Sequence, residues 1–135
     1  MRTTIVRRAQ FNAAHRVFRK DWSDEKNREV FGPCSNPLYH GHNYILEVRV
    51  TGLVQPETGY VMDLRHLKQI IEEQVIRPFD HRNLNLDTEE FRELNPTAEN
   101  IARIIYEKIR SKLPEDLELC IRLSETENNF VEYPA

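Results

Sequence analysis

Three of the five histidines in this chain stand where their imidazoles could share one metal ion. His40 and His42 are separated only by Gly41, and on an extended strand residues i and i+2 point to the same face, about 7 Å apart. His15 ends the segment FNAAH, beside the start of NYILEVRVTG if the two segments form a hairpin. Three protein ligands and one open position are the pattern of catalytic zinc. We therefore expect His15, His40 and His42 to bind Zn²⁺, although an isolated His-x-His pair is more often solvated or bonded to the backbone.

Cys34 is the second reactive group, six residues before His40 across a proline-containing loop. A thiol near Zn²⁺ or an imidazolium has a lowered pKa, and only the thiolate acts as a nucleophile or base. The spacing allows Cys34 to lie beside the metal without binding it. A small buried apolar residue is the alternative for any free cysteine, and Cys120, within an alternating segment, fits that alternative. A disulfide between the two would need an oxidising compartment.

Acidic residues at element boundaries complete the candidate groups. Asp80 directly precedes His81 in a predicted loop, where a carboxylate can fix a histidine tautomer and support proton exchange, although turn formation explains such a pair equally well. Glu99 falls in the first turn of a predicted helix, where negative charge favours the helix dipole. Glu125 continues the apolar face of a predicted strand, so it needs a partner such as an arginine or a ligand with N–H donors.

The elements that position these groups follow from periodicity. Strands are predicted at 3–15, 43–52, 117–124 and 130–133 because apolar and polar residues alternate there or β-branched residues are frequent. One helix is predicted to begin after Asp63 and to stop before Pro78. A second is predicted to begin after Thr97, its N-cap, and to end by Pro114. The order of two strands, two helices and two strands predicts an α+β fold with an antiparallel four-stranded sheet. His66, inside the first helix, is expected to be exposed.

The overall composition restricts the function. A chain of 135 residues is expected to form one domain, 1–135. A net charge of −3 and a pI near 6.0 argue against a nucleic-acid-binding protein. No signal-peptide pattern or membrane-spanning apolar run is present, so we expect a cytoplasmic protein. Open edges of a small sheet favour assembly into an oligomer.

Taken together, the motifs resemble those of the 6-pyruvoyl-tetrahydropterin synthase family. The matching segments occur in the family's order: FNAAH (11–15), NREVFGPCSNPLYHGHNY (27–44), GYVMDLRHLK (59–68), FDHRNLN (79–85), NPTAEN (95–100) and SETENN (124–129). The resemblance implies the tunnelling fold (T-fold), in which subunits with two helices between strand pairs close β-barrels. It further implies a homohexamer built as a dimer of trimers.

The resemblance also implies roles for the site residues. His15, His40 and His42 would bind zinc, and Cys34 would be the general base. Asp80 and His81 would complete a proton relay, often contributed by the neighbouring subunit. The pterin would be held by three further residues: Glu125, Thr97 and Glu99. Ala98 stands where many relatives carry a second hydroxyl residue.

The implied substrate is 7,8-dihydroneopterin triphosphate, which would lose triphosphate and give 6-pyruvoyl-tetrahydropterin. Its phosphates need cationic partners, for which the candidates are Arg16, Arg19, Lys20 and Arg28. The closest alternative is 6-carboxy-tetrahydropterin synthase of queuosine biosynthesis, which releases acetaldehyde. Five residues, SNPLY, separate Cys34 from His40, as in the pyruvoyl-forming type. A branch making a folate precursor carries a glutamate near the cysteine position, and Cys34 disfavours it. A non-catalytic oligomer that binds zinc and pterin is the alternative from another class.

Overall fold

The computed structural model describes residues 1–135 and contains one five-stranded sheet. Strands β1 (Arg2–His15) and β2 (His40–Leu53) form a long antiparallel pair. Strand β4 (Glu118–Ser124) pairs with β2, and β5 (Phe130–Tyr133) pairs with β4, both antiparallel. The predicted α+β class and the four antiparallel strands are confirmed.

The fifth strand was not predicted. Strand β3 (Arg82–Asn83) pairs in parallel with the outer side of β1, which gives the sheet order β3-β1-β2-β4-β5. Two residues are too few to show the alternation from which strands are recognised in a sequence. The predicted strand count of four is therefore corrected to five, and β3 holds the segment after His81 against β1.

The helix after Asp63 extends further than predicted. Helix α2 (Leu64–Ile71) is capped by the Asp63 carboxylate, which accepts a hydrogen bond from the Arg65 N–H. Helical backbone continues through a π-helical turn (Glu72–Ile76) into α3 (Arg77–Phe79). The prediction that the helix stops before Pro78 is therefore wrong. A proline ring clashes with the carbonyl of the preceding turn in a regular α-helix, and the wider π turn relieves that constraint.

Three further α-helices and a 3₁₀ turn connect the strands of the sheet. Helix α5 (Ala98–Arg110) begins as predicted at its Thr97 N-cap, whose hydroxyl accepts from the Asn100 N–H. Helix α1 (Asp24–Phe31) leads into a 3₁₀ turn (Gly32–Ser35), and α4 (Leu84–Asp87) follows β3. Helix α1 was not predicted because Asn27 is its only buried residue, so no apolar stripe marks it.

The core lies between one face of the sheet and the helices. Leu46, Val48 and Ile121 from the sheet are fully buried with Leu67 of α2 and Ile105 of α5. Because residues of one parity share a face, the same helix-covered face carries His15, which is 1% exposed. None of the helices combines the length and apolar composition that a membrane span requires.

Candidate metal centre and catalytic cavity

The strand register brings the three predicted histidines together. His15 is the direct partner of His40 in the β1–β2 pair, and His42 lies two residues further along the same face of β2. Their ring centroids are 4.6 to 5.1 Å apart. One ligand nitrogen from each ring lies within 4.8 Å of the others. The hairpin thus places three imidazoles at one end of the sheet, as expected.

The nitrogen atoms of this cluster fit a cation. The Pro96 carbonyl can only accept, so His15 Nδ1 donates to it over 2.7 Å, which leaves the His15 Nε2 lone pair free. His15 Nε2, both His40 nitrogens and His42 Nε2 are buried without a hydrogen-bond partner. Burial lowers the pKa of His15 to about 4, so its ring is neutral at pH 7. Neutral nitrogens with unused lone pairs are the donors that Zn²⁺ prefers, and the Pro96 contact is the outer support that metal-bound histidines usually have.

Glu125 lies beside the histidines, a proximity that the sequence analysis did not predict. One carboxylate oxygen is 3.5 Å from His42 Nε2 and the other is 3.9 Å from His15 Nε2. No arginine pairs with Glu125 in the chain, so the expected partner of this acid is not a protein cation. The carboxylate is half-buried and stands between the histidines and the neighbouring cavity.

That cavity, called here the cysteine cavity, has a volume of about 410 Å³. It is lined by Cys34, Thr97, Glu99 and Glu125 together with apolar side chains that include Val17 and Phe130. Four residues predicted from three separate segments of the sequence therefore surround one space. Its mixture of apolar walls and a few polar groups is typical of a small-molecule site.

The position of Cys34 depends on the 3₁₀ turn that carries it. The Cys34 carbonyl accepts from the Val17 N–H over 2.9 Å, which ties the turn to the segment just after His15. Gly32, with a φ of 61°, opens the turn in a conformation that disfavours other residues. Burial, with a smaller contribution from Glu125, raises the pKa of the Cys34 thiol above its usual value. The lowered pKa expected from the sequence thus requires a cation on the neighbouring histidines.

Asp80 and His81 lie elsewhere in the chain. Asp80 accepts from the Asn12 N–H over 2.9 Å and lies 3.0 Å from His81 Nδ1. The His81 N–H donates to the Asn12 carbonyl, which fixes the pair at the outer edge of β1. The backbone hydrogen bond from Asn12 holds the pKa of Asp80 below its usual value. Neither residue lines the cysteine cavity, and the His81 side chain is 81% exposed.

Two residues in or next to the histidine motifs have left-handed backbone conformations, which are strained for residues other than glycine. His81 has a φ of 60°, and Tyr39, which precedes His40, has a φ of 69°. Left-handed backbone at a residue with a side chain costs about 1 kcal/mol or more and is enriched at functional sites. His66, by contrast, is exposed on α2, as expected.

Three groups near the site residues were not predicted from the sequence. Two of them are backbone groups, and the third is a side chain that the fold brings close to His15. The Pro96 carbonyl orients His15, and the Asn12 backbone holds Asp80 and His81. The buried hydroxyl of Tyr44 lies 3.4 Å from His15 Nδ1. Backbone contacts leave no residue-type signal, whereas the motif NPTAEN did mark the segment that contains Pro96.

The fold and the site define a class: an α+β protein with a candidate three-histidine metal centre at one end of an antiparallel sheet. Residues 4–135 match the family model described as "6-pyruvoyl tetrahydropterin synthase". A 6-pyruvoyl tetrahydrobiopterin synthase of Poecilia reticulata is 45% identical over 96% of this chain and 88% of its own length. A dihydroneopterin monophosphate aldolase of Pyrococcus furiosus is 40% identical over 96% of this chain and 93% of its own.

A solved structure agrees with these matches. The 6-pyruvoyl tetrahydropterin synthase of Caenorhabditis elegans superposes with a TM-score of 0.93 at 38% identity, covering 100% of this chain and 96% of that chain. The chain belongs to the 6-pyruvoyl tetrahydropterin synthase family. The family resemblance and the T-fold that it implied are confirmed.

Proposed function

We propose that the protein is a zinc-dependent 6-pyruvoyl-tetrahydropterin synthase acting on 7,8-dihydroneopterin triphosphate in the cytoplasm. The observation that supports this most is that Glu125 lines the cysteine cavity together with Cys34 and also lies 3.5 Å from His42 of the histidine cluster. Relatives of that name that share 38 to 45% identity over nearly the whole chain support the same activity. The proposed reaction moves electrons within the substrate and expels triphosphate, so it needs no external oxidant.

Zn²⁺ is the metal that we propose for His15, His40 and His42. Three imidazole nitrogens within 4.8 Å of one another match the protein ligands of a catalytic zinc site, which keeps its fourth position for water or substrate. When bound, the ion supplies Lewis acidity towards the hydroxyl groups of the substrate side chain. The contact from His15 Nδ1 to Pro96 turns its other nitrogen towards the ion.

We assign Cys34 as the base that removes a carbon-bound proton. The thiol lines the cavity without belonging to the histidine cluster, so it is placed to reach a substrate carbon rather than the metal. A free thiol with a raised pKa is a poor base at pH 7. Deprotonation of Cys34 is therefore expected to depend on occupancy of the histidine site.

Glu125 is proposed to bind the 2-amino edge of the pterin, with Thr97 and Glu99 as further contacts. A carboxylate without a protein cation can accept two N–H bonds from a ligand. Thr97 and Glu99 lie at the N-terminus of α5 and line the same cavity. The apolar walls provided by Val17 and Phe130 suit the faces of a flat ring.

Asp80 and His81 are proposed to act as a proton relay in a neighbouring subunit's site. Within one chain the pair is exposed at the sheet edge and away from the cysteine cavity. A homohexamer, a dimer of trimers, would cover the second face of the sheet and present this pair to the adjoining protomer. The Asp80 carboxylate, 3.0 Å from His81 Nδ1, would then orient the ring that returns a proton to the substrate.

Product identity tests this proposal. The zinc-loaded protein should convert dihydroneopterin triphosphate to 6-pyruvoyl-tetrahydropterin and triphosphate without any aldehyde, as measured by mass spectrometry. Release of acetaldehyde would instead establish the 6-carboxy-tetrahydropterin route. A different two-carbon aldehyde would indicate cleavage of the side chain by an aldolase, the activity named for the Pyrococcus furiosus relative. If the protein binds zinc and pterin but does not turn over the substrate, the proposed function is wrong and the non-catalytic alternative is supported.

A further inference from the structure

Arg16 and Arg28 line a second cavity, called here the arginine cavity. Its volume is about 380 Å³, and its lining includes Arg16, Asp24, Arg28, Pro33, Ser35 and Asn36, with no apolar side chain other than prolines. Two guanidinium groups face one carboxylate in this lining, so the cavity carries a net positive charge. A polar, cationic cavity of this size suits an anion rather than a flat aromatic ring.

Arg16 is held in position with most of its donors unused. Its side chain is only 13% exposed, and its guanidinium carbon lies 3.8 Å from the centre of the Phe18 ring. Nε donates to the Ser35 carbonyl over 2.7 Å. The terminal N–H groups make no hydrogen bond within the chain, and the nearest carboxylate, Asp24, is 3.6 Å away. A guanidinium fixed by stacking with free terminal donors is preorganised for a phosphate.

Arg28 is available for a ligand, unlike Arg19 and Lys20. It makes no side-chain hydrogen bond or ion pair, although it shares the arginine cavity with Arg16. Arg19, in contrast, binds Asp21 through two hydrogen bonds of 2.7 and 2.8 Å. Lys20 donates to the Arg92 carbonyl and lies 3.7 Å from Glu93. The structure thus separates Arg16 and Arg28, which share the arginine cavity, from Arg19 and Lys20, which do not line it.

The arginine cavity adjoins the cysteine cavity. Pro33 and Ser35 line the first and Cys34, between them, lines the second, so one 3₁₀ turn separates the two spaces. Arg16 directly follows His15, a residue of the histidine cluster. The phosphate chain of the proposed substrate is attached at the end of the three-carbon side chain whose other carbons react. An anion site next to Cys34 and His15 is therefore within reach of those phosphates.

We propose that Arg16 and Arg28 form the triphosphate subsite of the substrate cavity and that Arg19 and Lys20 take no part in it. This inference rests on the proposed function for its substrate, whereas the anion site itself does not depend on turnover. Asp24 is the one acid in the lining, so it opposes an anion bound there. Its removal should strengthen binding while removal of Arg28 weakens it.

The probe is inorganic triphosphate, titrated calorimetrically into the zinc-loaded full-length protein. Arg28→Gln should weaken binding about tenfold, because it removes one charge-assisted contact from an exposed side chain that supports nothing else. Arg19→Gln is the matched control, with the same charge change at a nearby exposed arginine, and should leave the affinity unchanged. Asp24→Asn should tighten binding about threefold. Arg16→Lys retains the charge but loses the planar fork, so it should weaken binding as well.

The outcomes separate this inference from the proposed function. Equal affinity of Arg28→Gln and the unchanged protein overturns the subsite, as does an equal loss in Arg19→Gln, which would indicate diffuse surface charge. With dihydroneopterin triphosphate, Arg28→Gln should raise KM about tenfold with little change in kcat, since it lies outside the reacting groups. Turnover with an unchanged KM would overturn the subsite and leave the function intact. Selective triphosphate binding without turnover would overturn the function and leave the subsite intact.

Discussion

The burial of His15 predicts how the stability of the metal-free protein depends on pH. His15 is 1% exposed and its folded pKa is about 4, chiefly because burial disfavours the charged ring. In the unfolded chain the same ring titrates near its ordinary value of 6.5. Between these two values the unfolded state binds a proton that the folded state does not, so stability falls as the pH falls.

The difference between the two pKa values sets the size of the effect. Each pH unit in that window should remove about 1.4 kcal/mol of unfolding free energy, and the whole window about 3 kcal/mol. Above about pH 6.5 both states are neutral at this residue and the contribution is constant. Below about pH 4 both states are protonated and the loss is complete. Bound metal would not remove the effect, because a coordinated nitrogen cannot take a proton while the unfolded chain still can; it would extend the loss of stability below pH 4.

The measurement is urea unfolding of the chelator-treated protein at several pH values between about 7 and 4.5. His15→Gln removes the titrating ring, so its unfolding free energy should fall less steeply with pH, by about 1.4 kcal/mol per unit. His66→Gln, at the exposed histidine of α2, is the matched control and should keep the original slope. Parallel curves for His15→Gln and the unchanged protein would refute the neutral, buried state assigned to His15.

Three further predictions concern the metal, the helix cap and the relay. His42→Ala should lower zinc affinity on the order of 100-fold or more in a chelator competition, whereas His66→Ala should not change it. Unchanged zinc affinity of His42→Ala would exclude the histidine cluster as the metal site. Thr97→Ala should cost about 1 kcal/mol in thermal unfolding, because it removes the N-cap of α5, and Thr97→Ser should restore most of it. Asp80→Asn should lower kcat on the order of tenfold or more with zinc content unchanged, and an unchanged kcat would contradict the relay.

The histidine cluster shows how far the sequence can predict a site. Strand alternation and the His40-x-His42 spacing place two rings on one face, and the register of β1 with β2 adds His15. Each strand follows from its local alternation, whereas their pairing, across a connection that contains α1, entered the prediction as an assumption that the structure bears out. Helix α5 was likewise predicted from local features, the Thr97 cap and its apolar stripe.

The parts that could not be predicted depend on tertiary contacts. The distance between Glu125 and the histidines follows from the register of β4 with β2, in which Ser124 lies opposite Ile45, and periodicity does not specify that register. The position of Asp80 and His81 depends on backbone hydrogen bonds to Asn12. The hydrogen bond from Arg16 to the Ser35 carbonyl, 19 residues away in sequence, likewise follows from no local pattern.

The most direct test of the account compares Cys34→Ala with Cys120→Ala at equal zinc and pterin occupancy. Both cysteines are free and half-buried, but only Cys34 lines the cavity beside the histidine cluster. Formation of 6-pyruvoyl-tetrahydropterin from dihydroneopterin triphosphate should fall by about 100-fold or more in Cys34→Ala, and it should be unchanged in Cys120→Ala. Full activity of Cys34→Ala, with zinc bound, would contradict the central claim that this thiol is the base.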